Sequence, residues 1–582
     1  MVQLHLIVFW LLGFQFLGSR GASVDANFQK ECNFTRFPAL CLQTLMELKD
    51  HPVHIVPALV QRTISETKLP TSFFKTQLNS QLEVQEAQHP KSVTDYCEKL
   101  IRMSLKRLDQ SLLALKESPK KNKNDVQSWL SAALTFQQAC KDSADSFGFP
   151  AGGLTSRIST KMDYLSELAS NPLALINRVT NKAKNNIKKR RLGGEVKEFP
   201  KWVSAKDRKL LQTSTVKANA VVAKDGTGNY KTITDAIKAA TGSRFVIYVK
   251  SGVYNEKIRT NKDGITLIGE GKYSTIIAND DSVAGGSSMP DTATFSKSPL
   301  LKFIKLKSIS SSLHTLVPSS KTIFRISIGS VRKRTEKQEL KFSSSLVCRA
   351  AITGDGFIAR DIGFQNTAGP QGEQALALYI ASDKSVLYRC SIAGYQDTLY
   401  ALALRQFYRE CDIYGTIDFI FGNAAAVFQN CYLVLRRPSS HESYNVILAN
   451  GRSDPGQNTG FSIQNCRITA SSDFSPVKHN FKSYLGRPWK QYSRSVIMES
   501  NIDDAISSRG WIEWPGAASY GKTLYFAEYA NTGPGAQISN RVNWPGFHVI
   551  GADVAVKFTV RNFIAGTSWL PSTGVTFVSD LK

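Results

Sequence analysis

A short motif that ends in cysteine recurs through the second half of the chain, and this repeat limits the possible fold more than any other feature. Three successive copies end at Cys390, Cys411 and Cys431, which are 21 and then 20 residues apart, and a further copy ends at Cys466. Each copy contains the aromatic or branched residues that short strands favour. This period is typical of a parallel β-helix, in which each coil rests on the one before. A β-sandwich would also contain short strands, but it would not repeat the motif. We therefore predict an all-β, right-handed parallel β-helix over residues 212–582.

Two aspartates occupy equivalent positions in consecutive repeats. Asp397 lies seven residues after Cys390, and Asp418 lies seven residues after Cys411. Because neighbouring strands are about 4.8 Å apart, the two carboxylates are expected to lie side by side on one face. Like charges at that separation do not ionise independently, which divides the pair into a proton donor and an anion. Spacing alone leaves a second reading open, in which both are solvated turn residues.

The residues around the aspartates favour a desolvated site. Apolar residues follow the aspartates in segments 396–400 and 418–422. Segment 485–489 offers Arg487, whose guanidinium can grip a carboxylate with two hydrogen bonds. The alternative readings are a surface salt bridge for Arg487 and core packing for Trp489. A serine esterase is disfavoured, because the sequence has no Gly-x-Ser-x-Gly motif and none of its eight histidines lies in these segments. No metal-ligand spacing is found either, so we expect no cofactor.

The first half of the chain has helical periodicity instead. Across residues 24–175 apolar residues recur at helical spacing, as at Leu100, Met103 and Leu108, which predicts an all-α, antiparallel four-helix bundle. A basic linker follows at residues 176–211, and its exposed basic runs are candidate protease sites.

The cysteines fit an oxidising compartment, and their odd number, nine, leaves at least one thiol unpaired. We predict that one pair staples a hairpin, another ties two long helices, and two more each link neighbouring coils of the β-helix. The pairs are, in that order, Cys32–Cys41, Cys97–Cys140, Cys390–Cys411 and Cys431–Cys466.

The N-terminus predicts secretion. An apolar run over residues 4–17 is followed by small residues, which indicates a signal peptide over residues 1–22, and no later segment is apolar enough to span a membrane. The formal charge of +26 implies an anionic partner, whether nucleic acid, anionic membrane or acidic polysaccharide. Because the protein is expected to be secreted, nucleic acid is disfavoured as its anionic partner. Asn33 begins a glycosylation sequon.

Several segments resemble the signature segments of pectin methylesterases, in that family's order. These segments are residues 252–256, 374–378, 396–400, 418–422, 485–489, 528–533 and 558–560. The cysteine layout of the helical region, together with segment 129–140, resembles the invertase and pectin methylesterase inhibitor family. Arg208 and Lys209, which precede two leucines, resemble the processing site of family members that carry a pro-region.

The resemblance implies the hydrolysis of methyl esters of homogalacturonan to methanol and pectate in the cell wall. Asp418 would be the nucleophile and Asp397 the general acid and then base. Gln374 and Gln396 would stabilise the oxyanion, and Arg487 would keep Asp418 charged. The sugar-binding surface would comprise Trp489, Tyr400, Phe421 and Trp511, with Gln374 and Arg487 beside them. The expected partners are methyl-esterified pectin, anionic wall pectate and the chain's own pro-region, which would act as an inhibitor, a folding aid or only a spacer.

Two alternatives remain open at this point. One is another pectin-active β-helix enzyme, although inverting hydrolysis needs separated carboxylates and a lyase would need a calcium cluster. The other is a non-enzymatic wall protein.

One stretch, residues 296–350, breaks the family pattern. It carries 12 Lys or Arg against 2 acidic residues and contains Cys348, which would be the unpaired cysteine. We predict a poorly ordered insertion without site residues, either a surface loop or translated intron sequence.

Overall fold

The computed structural model describes residues 26–48, 54–69, 73, 88–145, 154–179, 217–285, 350–439 and 444–582. Several sequence predictions fall outside these residues. They are the signal segment 1–22, the processing site at Arg208 and Lys209, and the insertion 296–350, including Cys348, apart from its last residue.

The N-terminal part of the chain is helical. Its helices are α1 (Pro38–Met46), α2 (Ile55–Thr67), α3 (Gln88–Glu117), α4 (Lys123–Asp145) and α5 (Leu154–Arg178). Helix α4 packs between α3 and α5, and α2 packs on α3 and α5, which together form the four-helix bundle expected from the sequence. Val126, Leu130 and Ala133 show why α4 lies at the centre, because they recur at helical spacing and are all buried. We call α1–α5 the helical domain.

Two disulfides brace the helical domain. Cys32 pairs with Cys41 across a Cα–Cα distance of 5.6 Å, and Cys97 in α3 pairs with Cys140 in α4 across 4.7 Å. Both predicted pairings are thus confirmed. Asn33, the predicted glycosylation site, is exposed beside the first of them.

From residue 220 onward the chain winds through three parallel sheets. Sheet 1 consists of β1 (Ala220–Val222), β2 (Phe245–Val249), β5 (Ile265–Gly269), β8 (Ile358–Arg360), β11 (Ser385–Tyr388), β14 (Arg405–Arg409), β17 (Ala425–Gln429), β20 (Gly460–Gln464), β23 (Arg494–Met498), β25 (Tyr525–Tyr529) and β26 (Phe547–Val549). Sheet 2 consists of β3 (Gly252–Tyr254), β6 (Thr275–Asn279), β9 (Gly363–Asn366), β12 (Ser391–Ala393), β15 (Asp412–Gly415), β18 (Tyr432–Leu435), β21 (Arg467–Ala470) and β24 (Asn501–Ile502). Sheet 3 consists of β4 (Ile258–Thr260), β7 (Ala350–Ile352), β10 (Leu378–Ile380), β13 (Leu399–Ala401), β16 (Ile420–Gly422), β19 (Asn445–Asn450) and β22 (Ser483–Pro488). Two short helices, α7 (Ala552–Ala555) and α8 (Val560–Phe563), follow the last strand, and α6 (Ile233–Lys238) lies between β1 and β2.

This arrangement is the parallel β-helix that the repeat predicts. Its interior is built by stacking the same position from coil to coil: Leu378 pairs with Leu399, Leu399 with Ile420, and Ile420 with Leu448. These four side chains are at most 1% exposed. The interior cluster draws on residues from 220 onward, so the β-helix has a hydrophobic core of its own, separate from the helical domain.

The corner between sheets 1 and 2 explains the cysteine repeat. The residue before each repeated cysteine has a left-handed backbone, with φ between 51° and 55° at Arg389, Glu410, Asn430 and Asn465. This sharp turn directs the following side chain into the interior, where the four cysteines are at most 3% exposed. The motif therefore marks one corner of each coil.

The predicted pairs Cys390–Cys411 and Cys431–Cys466 are wrong, because all four residues are free, buried thiols. The thiols contact main-chain carbonyl groups instead: Cys411 Sγ donates to the Leu387 oxygen and Cys466 Sγ to the Phe428 oxygen, each at 3.4 Å. Stacked residues of a parallel ladder project their Cβ atoms in one direction, whereas a disulfide needs them to converge. A separation of one coil therefore brings cysteines side by side without the geometry for a bond.

The coils before and after the predicted insertion stack directly on each other. Ile258 in β4 pairs with Ala350 in β7, and Ile277 in β6 pairs with Phe364 in β9. The ladder is therefore continuous across residues 286–349, which lie outside the described residues. Among the helices that the structure describes, none combines the length and apolarity needed to cross a membrane.

Candidate active site

Two short turns on consecutive coils, each connecting sheet 2 to sheet 3, carry the predicted aspartates. Asp397 lies in the turn at residues 394–398, and Asp418 lies in the turn at residues 416–419. Strands β13 and β16, which follow these turns, pair in parallel register, and the Asp397 N–H donates to the Ile417 carbonyl at 2.9 Å. The two carboxyl groups are thus neighbours along the β-helix axis.

The backbone presents both aspartates in the same unusual conformation. Their φ angles are 58° for Asp397 and 51° for Asp418, a left-handed region that aspartate enters more readily than most residues. Their exposed fractions are 8% and 5%, so neither carboxyl group is well solvated. Residues held in this region often belong to functional sites.

Arg487 grips the second aspartate. It lies in β22, and its Nε donates to Asp418 Oδ1 at 2.9 Å and to Oδ2 at 3.2 Å, while Nη2 donates to Oδ2 at 2.5 Å. A third nitrogen, Nη1, donates to the Tyr444 hydroxyl at 2.9 Å, and the Trp514 ring centroid lies 4.3 Å from the guanidinium carbon. The cation is therefore fixed on several sides and is only 8% exposed.

Burial and charge set the protonation of the pair. Burial raises the pKa of Asp397 well above its usual range, and the charge of Asp418 raises it further against an opposing effect of Arg487. Burial also raises the pKa of Asp418, but the hydrogen bonds and charge of Arg487 counteract that rise. A proton shared by two such groups resides where the anion is least stabilised. The pair is therefore asymmetric: the proton is favoured on Asp397 and the negative charge on Asp418.

The two predicted glutamines lie beside the pair. The Ala375 N–H donates to the Gln396 carbonyl at 3.2 Å, which sets Gln374 and Gln396 on neighbouring coils. Both side chains are half-buried, and Gln396 directly precedes Asp397. Side-chain amides are suitable hydrogen-bond donors to an oxyanion.

Aromatic rings line the adjoining surface of sheet 3. Tyr400 and Phe421 stack with their ring centroids 4.3 Å apart, and the Trp489 ring lies 6.5 Å from the first and 6.0 Å from the second. Gly451 makes room for this tryptophan, because a Cβ there would come within 2.7 Å of its ring. Trp489 is partly exposed, whereas Tyr400 and Phe421 are buried.

Trp511 is not part of this surface, contrary to the sequence prediction. Its side chain is 0% exposed, its ring lies 4.6 Å from that of Phe526 in the interior, and its Nε1 donates to Glu528. Gly486 provides the space it occupies, since a Cβ there would meet the Trp511 ring at 3.0 Å. Trp514, three residues later, is the tryptophan that contacts Arg487. Residue type alone could not distinguish Trp511 from Trp514. The backbone bridge between Gly486 and Trp511 is what turns Trp511 inward.

The helical domain covers the aromatic surface. Cys97, Leu100 and Phe136 of the helical domain belong to one hydrophobic cluster with Tyr400 and Phe421 of the β-helix. Polar contacts also join this end of the chain to the β-helix. They are Arg107 Nη2 to Asp355 at 2.7 Å, Asp125 to Arg405 at 2.6 Å, Trp129 Nε1 to Asp383 at 3.1 Å, Asn423 to Thr135 at 2.9 Å, Asp142 to Lys490 at 2.5 Å and Arg36 to Asp454 at 2.9 Å.

Sequence reasoning missed these contacts, and it also missed Tyr444 and Trp514. The partners in the interface are separated by hundreds of residues and follow no period, so spacing carries no signal for them. Tyr444 and Trp514 lie in irregular segments outside the coil repeat.

Comparisons with known proteins agree with the geometry. Residues 219–307 and 323–567 match the family model described as Pectinesterase, and residues 26–175 match the one described as Plant invertase/pectin methylesterase inhibitor. The unmatched stretch 308–322 falls inside the predicted insertion.

Relatives and one solved structure extend the match. The relative named Probable pectinesterase/pectinesterase inhibitor 54, from Arabidopsis thaliana, is 45% identical over 91% of this chain and 89% of its own. Pectinesterase 2 from Citrus sinensis is 41% identical over 90% of this chain and 91% of its own. The solved structure titled Pectin methylesterase from Carrot is 42% identical, with 64% of this chain and 100% of that chain covered and a TM-score of 0.52.

Proposed function

Because the chain belongs to the pectinesterase family, and is therefore a carboxylic-ester hydrolase acting on pectin, we propose that its buried aspartate pair performs the hydrolysis. The observation that carries the proposal is the asymmetry of the pair. Arg487 donates three hydrogen bonds to Asp418, while burial and the neighbouring charge keep the proton on Asp397. One anion and one acid therefore lie on neighbouring coils.

In the first half of the reaction, the Asp418 carboxylate attacks the carbonyl carbon of a galacturonate methyl ester. The amides of Gln374 and Gln396 donate hydrogen bonds to the oxyanion that forms, and such a donor typically contributes about 3–4 kcal/mol. Asp397 gives its proton to the departing methoxide, which leaves as methanol. The products of this half are an acyl-enzyme on Asp418 and an ionised Asp397.

In the second half, Asp397 acts as the base. It takes a proton from a water molecule, whose oxygen attacks the acyl carbon and breaks the bond from that carbon to Asp418. The galacturonic acid group that forms then loses its carboxyl proton to solvent. Asp418 returns to its anionic form beside Arg487, and Asp397 is protonated again. Trp489, beside the stacked Tyr400 and Phe421, offers a flat apolar face for a sugar ring.

The helical domain blocks this site in the uncut chain, in this proposal. Its support is the hydrophobic cluster shared by the helical domain and the aromatic surface, together with the polar contacts between the helical domain and the β-helix. Cleavage in the linker, residues 176–211, with Arg208 and Lys209 as the processing site, would release the enzyme. Residues 1–22 would direct the chain out of the cell to the wall, where its charge of +26 favours anionic pectate.

Methanol release from methylated pectin tests the proposal. We expect slow release by the uncut chain and fast release once the linker has been cut and the helical domain removed. Asp418→Asn in the cut enzyme should abolish release, since an amide keeps the shape of the carboxylate but is not a nucleophile. Equal activity before and after the cut would refute inhibition by the helical domain, and an active Asp418→Asn variant would refute the assigned nucleophile.

A further inference from the structure

Lys490 connects the aromatic surface of the β-helix to the helical domain. It directly follows Trp489, and its Nζ lies 5.6 Å from the centroid of that ring. The same Nζ forms an ion pair at 2.5 Å with Asp142 of α4, which also accepts a hydrogen bond from Gln138 at 2.9 Å. Both side chains of the ion pair are 23% exposed, so the pair is largely shielded from water.

The Asp142 carboxylate lies near the aromatic surface, because it pairs with the lysine whose Nζ is 5.6 Å from the Trp489 ring centroid. Burial raises the pKa of Tyr400, and interactions with Tyr96, Asp142 and Asp397 raise it further. Tyr400 thus interacts electrostatically with the Asp142 carboxylate of the helical domain and with the Asp397 carboxylate of the aspartate pair. A carboxylate of the helical domain is therefore held by Lys490 at the edge of the surface on which a sugar ring would lie.

Removal of the helical domain leaves Lys490 without this anion. The molecule that then occupies the aromatic surface is the pectin chain, whose units carry either a neutral methyl ester or, after hydrolysis, a carboxylate. A carboxylate on a sugar ring presents the same two oxygens that Asp142 presents, and a charge-assisted hydrogen bond to it is stronger than one to an ester.

We propose that Lys490 binds the free carboxylate of a galacturonate unit neighbouring the one that is demethylated, and that Asp142 mimics this carboxylate in the uncut chain. This inference rests on the proposed function, because it takes the aspartate pair as the place of reaction. Lys490 is then a specificity residue. It favours ester groups whose neighbours have already been hydrolysed, so each turnover improves the binding of the next site.

Kinetics on two pectins test the role of Lys490. The full chain is cut in the linker and the helical domain removed; the β-helix retains its own core, and circular dichroism checks that each variant is folded. Lys490→Met should lower kcat/KM on sparsely methylated pectin about tenfold, mainly through KM, and change it less than about twofold on highly methylated pectin. Lys490→Arg should restore most of the loss.

The matched control is Lys272→Met. Lys272 is also a partly buried lysine, 26% exposed, and it pairs with Asp412 of sheet 2 at 2.6 Å, entirely within the β-helix. Its loss should affect both pectins equally. If Lys490→Met also affects both equally, Lys490 only positions Trp489, and if it affects neither, no carboxylate is bound there; either result overturns the proposal.

Binding of unmethylated trigalacturonate separates this inference from the proposed function. The cut wild-type enzyme should bind it about tenfold more tightly than Lys490→Met does, and also more tightly than the uncut chain, in which Asp142 occupies Lys490. Equal binding by all three would refute the mimicry. A failure of the wild type to release methanol from either pectin would refute the proposed function instead, while this binding comparison would still test Lys490.

Discussion

Replacing Arg487 with methionine tests the division of labour between the two aspartates. The change removes three hydrogen bonds and the positive charge from Asp418, which is only 5% exposed. Breaking a buried ion pair by removing one partner costs about 3–5 kcal/mol, because the other charge stays buried. At about 1.4 kcal/mol for each pKa unit, protonation of Asp418 can relieve this cost with a pKa rise of roughly 2–4 units.

The direction of the effect on activity follows from which form reacts. In the proposed mechanism Asp418 attacks as an anion, so activity should be lost as the pH falls through its pKa. Without Arg487 that pKa rises, and the acidic limb of the kcat/KM profile should move to higher pH by about 2 units or more. Arg487→Lys keeps the positive charge but loses the forked hydrogen bonds of the guanidinium group, so the acidic limb of this variant should move less. Methanol release measured between acid and alkaline pH gives both shifts.

Arg541 provides the control. It makes a comparable buried pair with Glu528 in β25, with Nε to Oε1 at 2.7 Å and both side chains 2% exposed. Arg541→Met should lower the melting temperature without moving the acidic limb. An unmoved limb in folded Arg487→Met, or an equal movement in Arg541→Met, would show that the cation does not keep Asp418 ionised.

Three further predictions follow from the same structure. Asp397→Asn should slow methanol release from the cut enzyme more than tenfold, as Asp418→Asn should. A tenfold loss corresponds to an increase of about 1.4 kcal/mol in the activation barrier, and a smaller loss contradicts the role of Asp397 as the acid. Burial raises the pKa of Asp355, but the ion pair with Arg107 outweighs this and keeps the pKa below its usual range. The helical domain should therefore bind the β-helix tightly above about pH 4 and more weakly as the pH falls below it. Calorimetry on the cut chain measures this affinity, and an affinity unchanged down to pH 3 contradicts the prediction. Deleting residues 296–349 should leave the melting temperature and the activity of the cut enzyme unchanged or raise the activity, because the flanking coils already stack; a chain that fails to fold contradicts it.

Periodic features of this molecule were predictable from the sequence, and features that depend on direction were not. The cysteine repeat predicts the β-helix because each copy marks the same left-handed corner. The same period predicts that Asp397 and Asp418 are neighbours, since equal offsets from a corner give equal positions on a coil. Arg487 followed from chemistry, because a buried carboxylate needs a cation.

Two errors arose where the direction of a side chain mattered. The four corner cysteines are adjacent, as their spacing predicts, but they point the same way and stay reduced. Trp511 and Trp514 both follow the segment that contains Arg487, and the backbone bridge to Gly486 turns Trp511 into the core. The cover provided by the helical domain involves contacts such as Arg107 with Asp355, which only the folded chain brings together.

The distribution of oxidised and reduced sulfur divides the molecule by redox sensitivity. Among the described residues, both disulfides lie in the helical domain, whereas the β-helix holds only thiols that are shielded from solvent. A disulfide stabilises a domain mainly by restricting its unfolded chain, typically by about 2–4 kcal/mol. A reducing environment would therefore destabilise the helical domain, which covers the site, and leave the β-helix intact. The stability of the helical domain depends on oxidation of its cysteines, whereas the stability of the stacked coils does not.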